Sequence, residues 1–180
     1  MRLDSLRHLA QAILATAESD RLVVFGSAAL LGTHPHLGEQ EDSPVGATFD
    51  ADIIPFPFEE EMAELLHESF GNENRFHRRF GYHADIIRPK IVETFPQGWE
   101  ERLVLLDGTK NVWCLETHDV AAPKARLARP KDANQLEWLV RSKLIDVNML
   151  EERLGMIALE PAALVRGRAL VSRLRQLVGD

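Results

Sequence analysis

The sequence predicts an α/β (α+β) protein: a small mixed sheet flanked by helices, followed by a helical C-terminal part. Two observations carry this. Through about residue 116, short apolar runs bounded by Gly, Pro and Asp alternate with stretches of helical periodicity, and from Thr117 onward only helical patterns remain. The 180 residues, 45% hydrophobic and 27% charged, suffice for a sizeable core. The expected organisation is an α/β core over residues 1–116 and a helical region over 117–180 packed on it.

The elements follow in chain order. Over residues 4–18, Leu6, Leu9, Ala10, Ile13, Leu14 and Ala17 form one helical stripe. LVVF at 22–25 is a buried strand ending at Gly26. Ser27 to Leu31 favours a helix that Gly32 can end. Residues 33–47, rich in Gly, Pro, His and acids, read as a loop. TFDADII at 48–54 is the second strand, closed by Pro55 and Pro57. EEEMAELLHESFG follows as a helix with Met62, Leu65, Leu66 and Phe70 inward. FHRRFGYHADII holds one or two strands. RLVLLDGTKNVWCLET reads as a hairpin turning at Asp107-Gly108. Helices are then expected from Asp119, from about Lys131 to Leu144, over NMLEERLGMI, and over PAALVRGRALVSRLRQLVG.

Composition excludes several classes. No apolar run approaches the ~20 residues of a membrane helix, and the N-terminus reads as an amphipathic helix rather than a signal peptide. The single Cys114 cannot form an internal disulfide, so a reducing cytoplasm is expected. The net charge of −7 argues against extensive sequence-independent nucleic-acid binding, though not against a short RNA end in a local basic pocket.

Three segments bear chemistry. In VVFGSAAL a strand ends in Gly26-Ser27 and enters a helix, where backbone N–H groups attract phosphate oxygens. Gly26 lets a ligand approach the backbone, and the Ser27 hydroxyl adds a donor. In TFDADII, Asp50 and Asp52 stand two apart on a strand and share a face. Paired carboxylates repel unless a cation lies between them, and oxygen ligands suit Mg²⁺ shared with substrate phosphates. In GYHADIIRP, Asp85 stands in a short apolar strand with His83 on its face. A third carboxylate there can complete a two-metal site and take a proton from an attacking hydroxyl. The bland readings are a tight turn for Gly26-Ser27, a cap and a solvated acid for the pair, and a satisfied strand-end polar residue for Asp85. Arg75, Arg78 and Arg79, interleaved with Phe76, Phe80 and Tyr82, suit either stacking on an RNA end or a hairpin with an outward basic face.

The order Gly-Ser after a strand, Asp-x-Asp in the next strand and a lone Asp in a later one resembles the polymerase-β-like nucleotidyltransferase superfamily over roughly residues 20–90. Thr48-Phe49-Asp50-Ala51-Asp52 is similar to the branch that includes AbiEii-type toxins and uncharacterised nucleotidyltransferase-like proteins. Residues 118–140 resemble that branch's helical part, with Lys124 matching its lysine and Lys131-Asp132 its basic-Asp step; Pro123 departs from the pattern.

The resemblance implies a nucleotidyltransferase-type core in which Gly26 and Ser27 grip the triphosphate and Asp50 and Asp52 bind up to two Mg²⁺ ions. It implies further that Asp85 binds the second ion and acts as base, that Lys124 contacts the triphosphate, and that Asp132 lies nearby or orients Lys124. The implied function is Mg-dependent transfer of a nucleotidyl group from a nucleoside triphosphate to a hydroxyl of RNA, protein or a small molecule. The protein would be a cytoplasmic component of a toxin–antitoxin system with a cognate antitoxin as partner. A non-catalytic nucleotide-binding or interaction protein on the same scaffold is the alternative.

Overall fold

A computed structural model describes residues 1–17, 19–158 and 160–178. The chain forms two units: Met1–Lys90 with Arg102–Glu116, and Ile91–Glu101 with the chain from Thr117 onward.

The first unit holds a five-stranded mixed sheet. Its strands are β1 (Arg21–Phe25), β2 (Asp50–Phe56), β3 (His83–Ile86), β4 (Val104–Leu105) and β5 (Val112–Cys114), in the order β3-β2-β1-β5-β4. β1 runs antiparallel to β2 and parallel to β5; β2 is parallel to β3, and β4 is antiparallel to β5. Among the described residues its α-helices are α1 (Leu3–Ala17), α2 (Leu30–Thr33), α3 (Glu60–Phe70) and α4 (Arg75–Phe80). Leu6, Leu9 and Ile13 of α1, Leu22 to Val24 of β1, and Ile53 and Ile54 of β2 are fully buried and make the centre of the core. The stripe expected over residues 4–18 is the buried face of α1 except that Leu14 is only half-buried, and Glu18 lies outside the described residues.

Local chemistry explains where the elements depart from expectation. Ser27–Ala29 is one 3₁₀ turn, and α2 adds a single α-helical turn. Gly32 lies inside α2 instead of ending it. A Cβ there would stand 2.6 Å from the Cys114 Cβ, so the glycine lets α2 settle against β5. Pro55 continues β2 instead of closing it. Leu22 donates its N–H to Asn111, so the Leu22–Pro55 pair is a non-hydrogen-bonded one, and β3 pairing has ended at Ile53. The N–H that Pro55 lacks would therefore face a vacant edge. Leu65 is exposed, and α3 buries Ala63, Leu66 and Phe70. Residues 75–80 are helical, not extended. Asn74 caps the start by accepting from the His77 N–H, and Gly81, at φ 77°, ends the helix in the left-handed region.

The second unit contains α5 (Thr117–Leu127), α6 (Pro130–Arg141), α7 (Val147–Gly155) and α8 (Pro161–Gln176). Pro123 sits within α5. Packing of α8 against α7 and α5 is close: a Cβ on Gly167 of α8 would meet Leu154 of α7 at 2.9 Å and the Ala125 carbonyl of α5 at 3.4 Å. The buried Asp119 carboxylate forms an ion pair with Arg153, its Oδ1 3.2 Å from the Nε. Asp146 caps α7 by accepting from the N–H groups of Asn148 and Met149, which hold its carboxyl below the usual range. Among the described residues no helix is long and apolar enough to cross a membrane.

Burial pushes the Cys114 thiol up to about 12. At pH 8 only about one molecule in ten thousand then carries the reactive thiolate. Iodoacetamide is expected to label Cys114 at least ~100-fold more slowly in the native protein than in denaturant, as followed by intact mass.

Candidate active site

The site is built where β1 hands over to the 3₁₀ turn. Gly26 has φ 64° and ψ −157°, a backbone region that only glycine occupies at low cost. The β1–β2 register pairs Phe25 with Asp52, which brings the Asp52 side chain to the adjoining backbone. Its Oδ2 lies 2.1 Å from where a Gly26 Cβ would be. The glycine thus serves two needs: an otherwise strained turn, and room for a carboxylate against the main chain.

Asp50 shares the face of Asp52, because the two are two residues apart in β2. The parallel β2–β3 register sets Asp85 directly beside Asp52 and His83 beside Asp50. All four polar side chains therefore line one face of the β2–β3 ribbon, while Ala51, Ile53 and Ala84 are buried on the other. Asp85 is 41% exposed, and its Oδ1 lies 3.8 Å from the Nε2 of the more buried His83. The His83 Nδ1 is buried without a hydrogen-bond partner. The loop leading into β2 is held by the Met1 α-amino group, which donates to the Val45 and Gly46 carbonyls at 2.6 and 3.0 Å and to that of Thr48. Burial pulls this amine below its ordinary value, and the charge of Asp50 works in the opposite direction.

These residues fit a hard divalent cation in one specific sense. The donors are carboxylate oxygens on one face, and a phosphate at Gly26-Ser27 would confront the Asp52 charge unless a cation stood between them. Among the described residues no three His, Cys, Asp or Glu side chains converge as a metal-holding group. The set thus matches a site of one or two carboxylates completed by substrate phosphates and water, as Mg²⁺ prefers, and not an all-protein cage. The helix expected behind Ser27 amounts to two short turns, so little macrodipole backs that position.

Lys124 and Asp132 lie in the second unit and come together there. The Lys124 Nζ is 4.0 Å from the Asp132 Oδ1, and both side chains are largely buried. Arg129, which the sequence reading missed, is the nearer partner of Asp132, donating from Nε at 2.6 Å and Nη2 at 3.2 Å. Its i,i+3 spacing from Asp132 at the helix start was the available signal.

A family model described as a nucleotidyltransferase of unknown function (DUF6036) matches residues 1–162. The chain belongs to this nucleotidyltransferase family. No curated protein and no solved structure matches it. The match spans both units of this nucleotidyltransferase-family chain, including every site residue named above. It identifies the DUF6036 family and does not place the chain in the AbiEii-type branch.

Two stability outcomes follow. Gly26→Ala is expected to cost at least about 2 kcal/mol in urea denaturation, against about 1 kcal/mol for Gly81→Ala, whose Cβ meets open space. Adding Asp52→Ala to Gly26→Ala should recover the part due to the collision. Asp132→Ala leaves two cations facing a buried gap and should cost about 1–3 kcal/mol, discounted because Arg129 is half exposed. Asp132→Asn, which still accepts from Arg129, should cost clearly less.

Proposed function

We propose that the chain transfers a nucleotidyl group from a nucleoside triphosphate to an acceptor hydroxyl. The observation that supports this most is the Asp52 carboxylate set against Gly26, on a face shared with Asp50 and Asp85. That juxtaposition puts carboxylates beside a backbone turn suited to phosphate, in a family of nucleotidyltransferases.

In this reading, Gly26 N–H and the Ser27 hydroxyl hold the triphosphate tail. Asp50 and Asp52 would hold Mg²⁺. When bound, the cation offsets phosphate charge and stabilises the entering and leaving oxygens. Asp85, whose side chain is 41% exposed, accepts the proton of the acceptor hydroxyl. The acceptor oxygen then bonds to the α-phosphorus as the bond between the α-phosphorus and the α–β bridging oxygen breaks, and pyrophosphate leaves with that electron pair. The triphosphate contact of Lys124 rests on the resemblance. Membership of the AbiEii-type branch and a toxin role with a cognate antitoxin belong to the same reading.

Pro123 inside α5, which departs from the pattern that the resemblance gives around Lys124, supports a second reading, a nucleotide-binding protein without turnover on the same scaffold. Incubation with each α-³²P-labelled triphosphate, Mg²⁺, total RNA and total protein separates the two. Transfer is expected, falling by about 10³-fold or more in Asp50→Asn/Asp52→Asn. Labelling by that double variant at the wild-type rate overturns the assignment. Triphosphate binding in calorimetry with no transfer to any acceptor would establish the second reading instead.

A further inference from the structure

Helix α4 presents a surface that the proposed chemistry does not use. Its three arginines, Arg75, Arg78 and Arg79, follow i, i+3, i+4 spacing and so share one face. The neighbouring face carries Phe76 and Phe80, whose ring centroids are 4.7 Å apart. Phe76 packs on Phe70 at 5.2 Å and on Tyr82 at 5.7 Å, and Phe80 meets His8 at 4.6 Å. His77 lies 4.7 Å from the His83 ring. The helix is therefore fastened by its aromatic side and by His77, and all three arginines are exposed.

Three arginines clustered on one short face without a carboxylate set this helix apart. Arg2, Arg7, Arg88, Arg129, Arg153, Arg173 and Arg175 each have a carboxylate partner, whereas Arg126, Arg141, Arg166 and Arg168, like the α4 arginines, have none among the described residues. Among the described residues, none of the α4 guanidinium groups has a carboxylate within 4 Å. The macrodipole can favour Arg78 and Arg79 in the last turn, but it opposes a cation at Arg75 in the first. Mutual repulsion of three clustered cations adds to that cost. Arg79 also stands 5.2 Å over the ring of Phe80, itself 39% exposed, so a flat cation and an aromatic edge lie together at the rim.

We propose that the arginine face of α4 docks the phosphate backbone of a single-stranded nucleic acid, with Arg79 and Phe80 offering a stacking edge to a base. Clustered guanidiniums beside an aromatic ring suit phosphates and unstacked bases together, a combination that an acidic peptide does not exploit. Asp85 follows Phe80 by five residue steps, a span of at most about 18 Å, so a strand held here reaches the acid face within a few nucleotides. That last step rests on the nucleotidyl-transfer reading; the docking surface does not.

Fluorescence anisotropy with a labelled mixed-sequence RNA 20-mer tests the proposal. Three phosphate contacts predict a slope of log K against log salt near −2. Arg75→Gln/Arg78→Gln/Arg79→Gln should weaken binding about tenfold or more and flatten the slope, with far-UV circular dichroism checking its fold. The triple Arg→Lys variant, which keeps the charges, should stay within about threefold of wild type. No salt-dependent binding by wild type, equal binding by the glutamine variant, or competition by polyglutamate as strong as by RNA overturns the proposal. Asp50→Asn/Asp52→Asn should still bind RNA. Arginine-dependent binding without any transfer would sink the enzymatic reading and leave this surface standing. Transfer to RNA with an unchanged KM in the glutamine variant would do the reverse.

Discussion

The contact between the Asp52 carboxylate and the bare backbone of Gly26 is the constraint around which the first unit is arranged. It exists because β1 and β2 pair antiparallel with Phe25 opposite Asp52, so the last residue of one strand meets the acidic step of the next. Shift that register by one residue and Asp52 turns to the buried face while Ala51 and Ile53 turn outward. Hydrophobic alternation along β2 therefore fixes the chemistry as well as the core. β3 then adds Asp85 at the same level, because a parallel partner in register repeats the facing of its neighbour.

Charge is handled differently in the two units. In the first, Asp50, Asp52 and Asp85 occupy one face and remain at least partly open to solvent or ligand. In the second, Asp132 is buried and shared by Arg129 and Lys124. A buried carboxylate shared by two cations is satisfied at folding, whereas the three carboxylates of the first unit stay partly exposed on one face.

Much of this was legible in the sequence because strand and helix periods differ. The Asp-x-Asp spacing fixed a shared face before any coordinates, and the Gly-Ser step after LVVF located the turn. What the sequence hid was set by tertiary pairing. Pro55 reads as a strand terminator, yet it continues β2 because β3 has already ended beside it. The run from Arg75 to Phe80 alternates charge and aromatic residues much as a strand does, and the decisive signals were the Asn74 cap and Gly81 at φ 77°. Leu65 is apolar but exposed, since Leu66 and Phe70 already fill the buried stripe of α3. The meeting of Asp52 with Gly26 required the strand register, which no local pattern encodes.

The path of the chain between the units has a practical corollary. It leaves the first unit after Lys90, contributes Ile91–Glu101 to the second, and returns for β4 and β5 before departing again at Thr117. No single cleavage can release either unit whole. A protease cut near residue 116 would leave the early segment tethered to one fragment and its packing partners on the other.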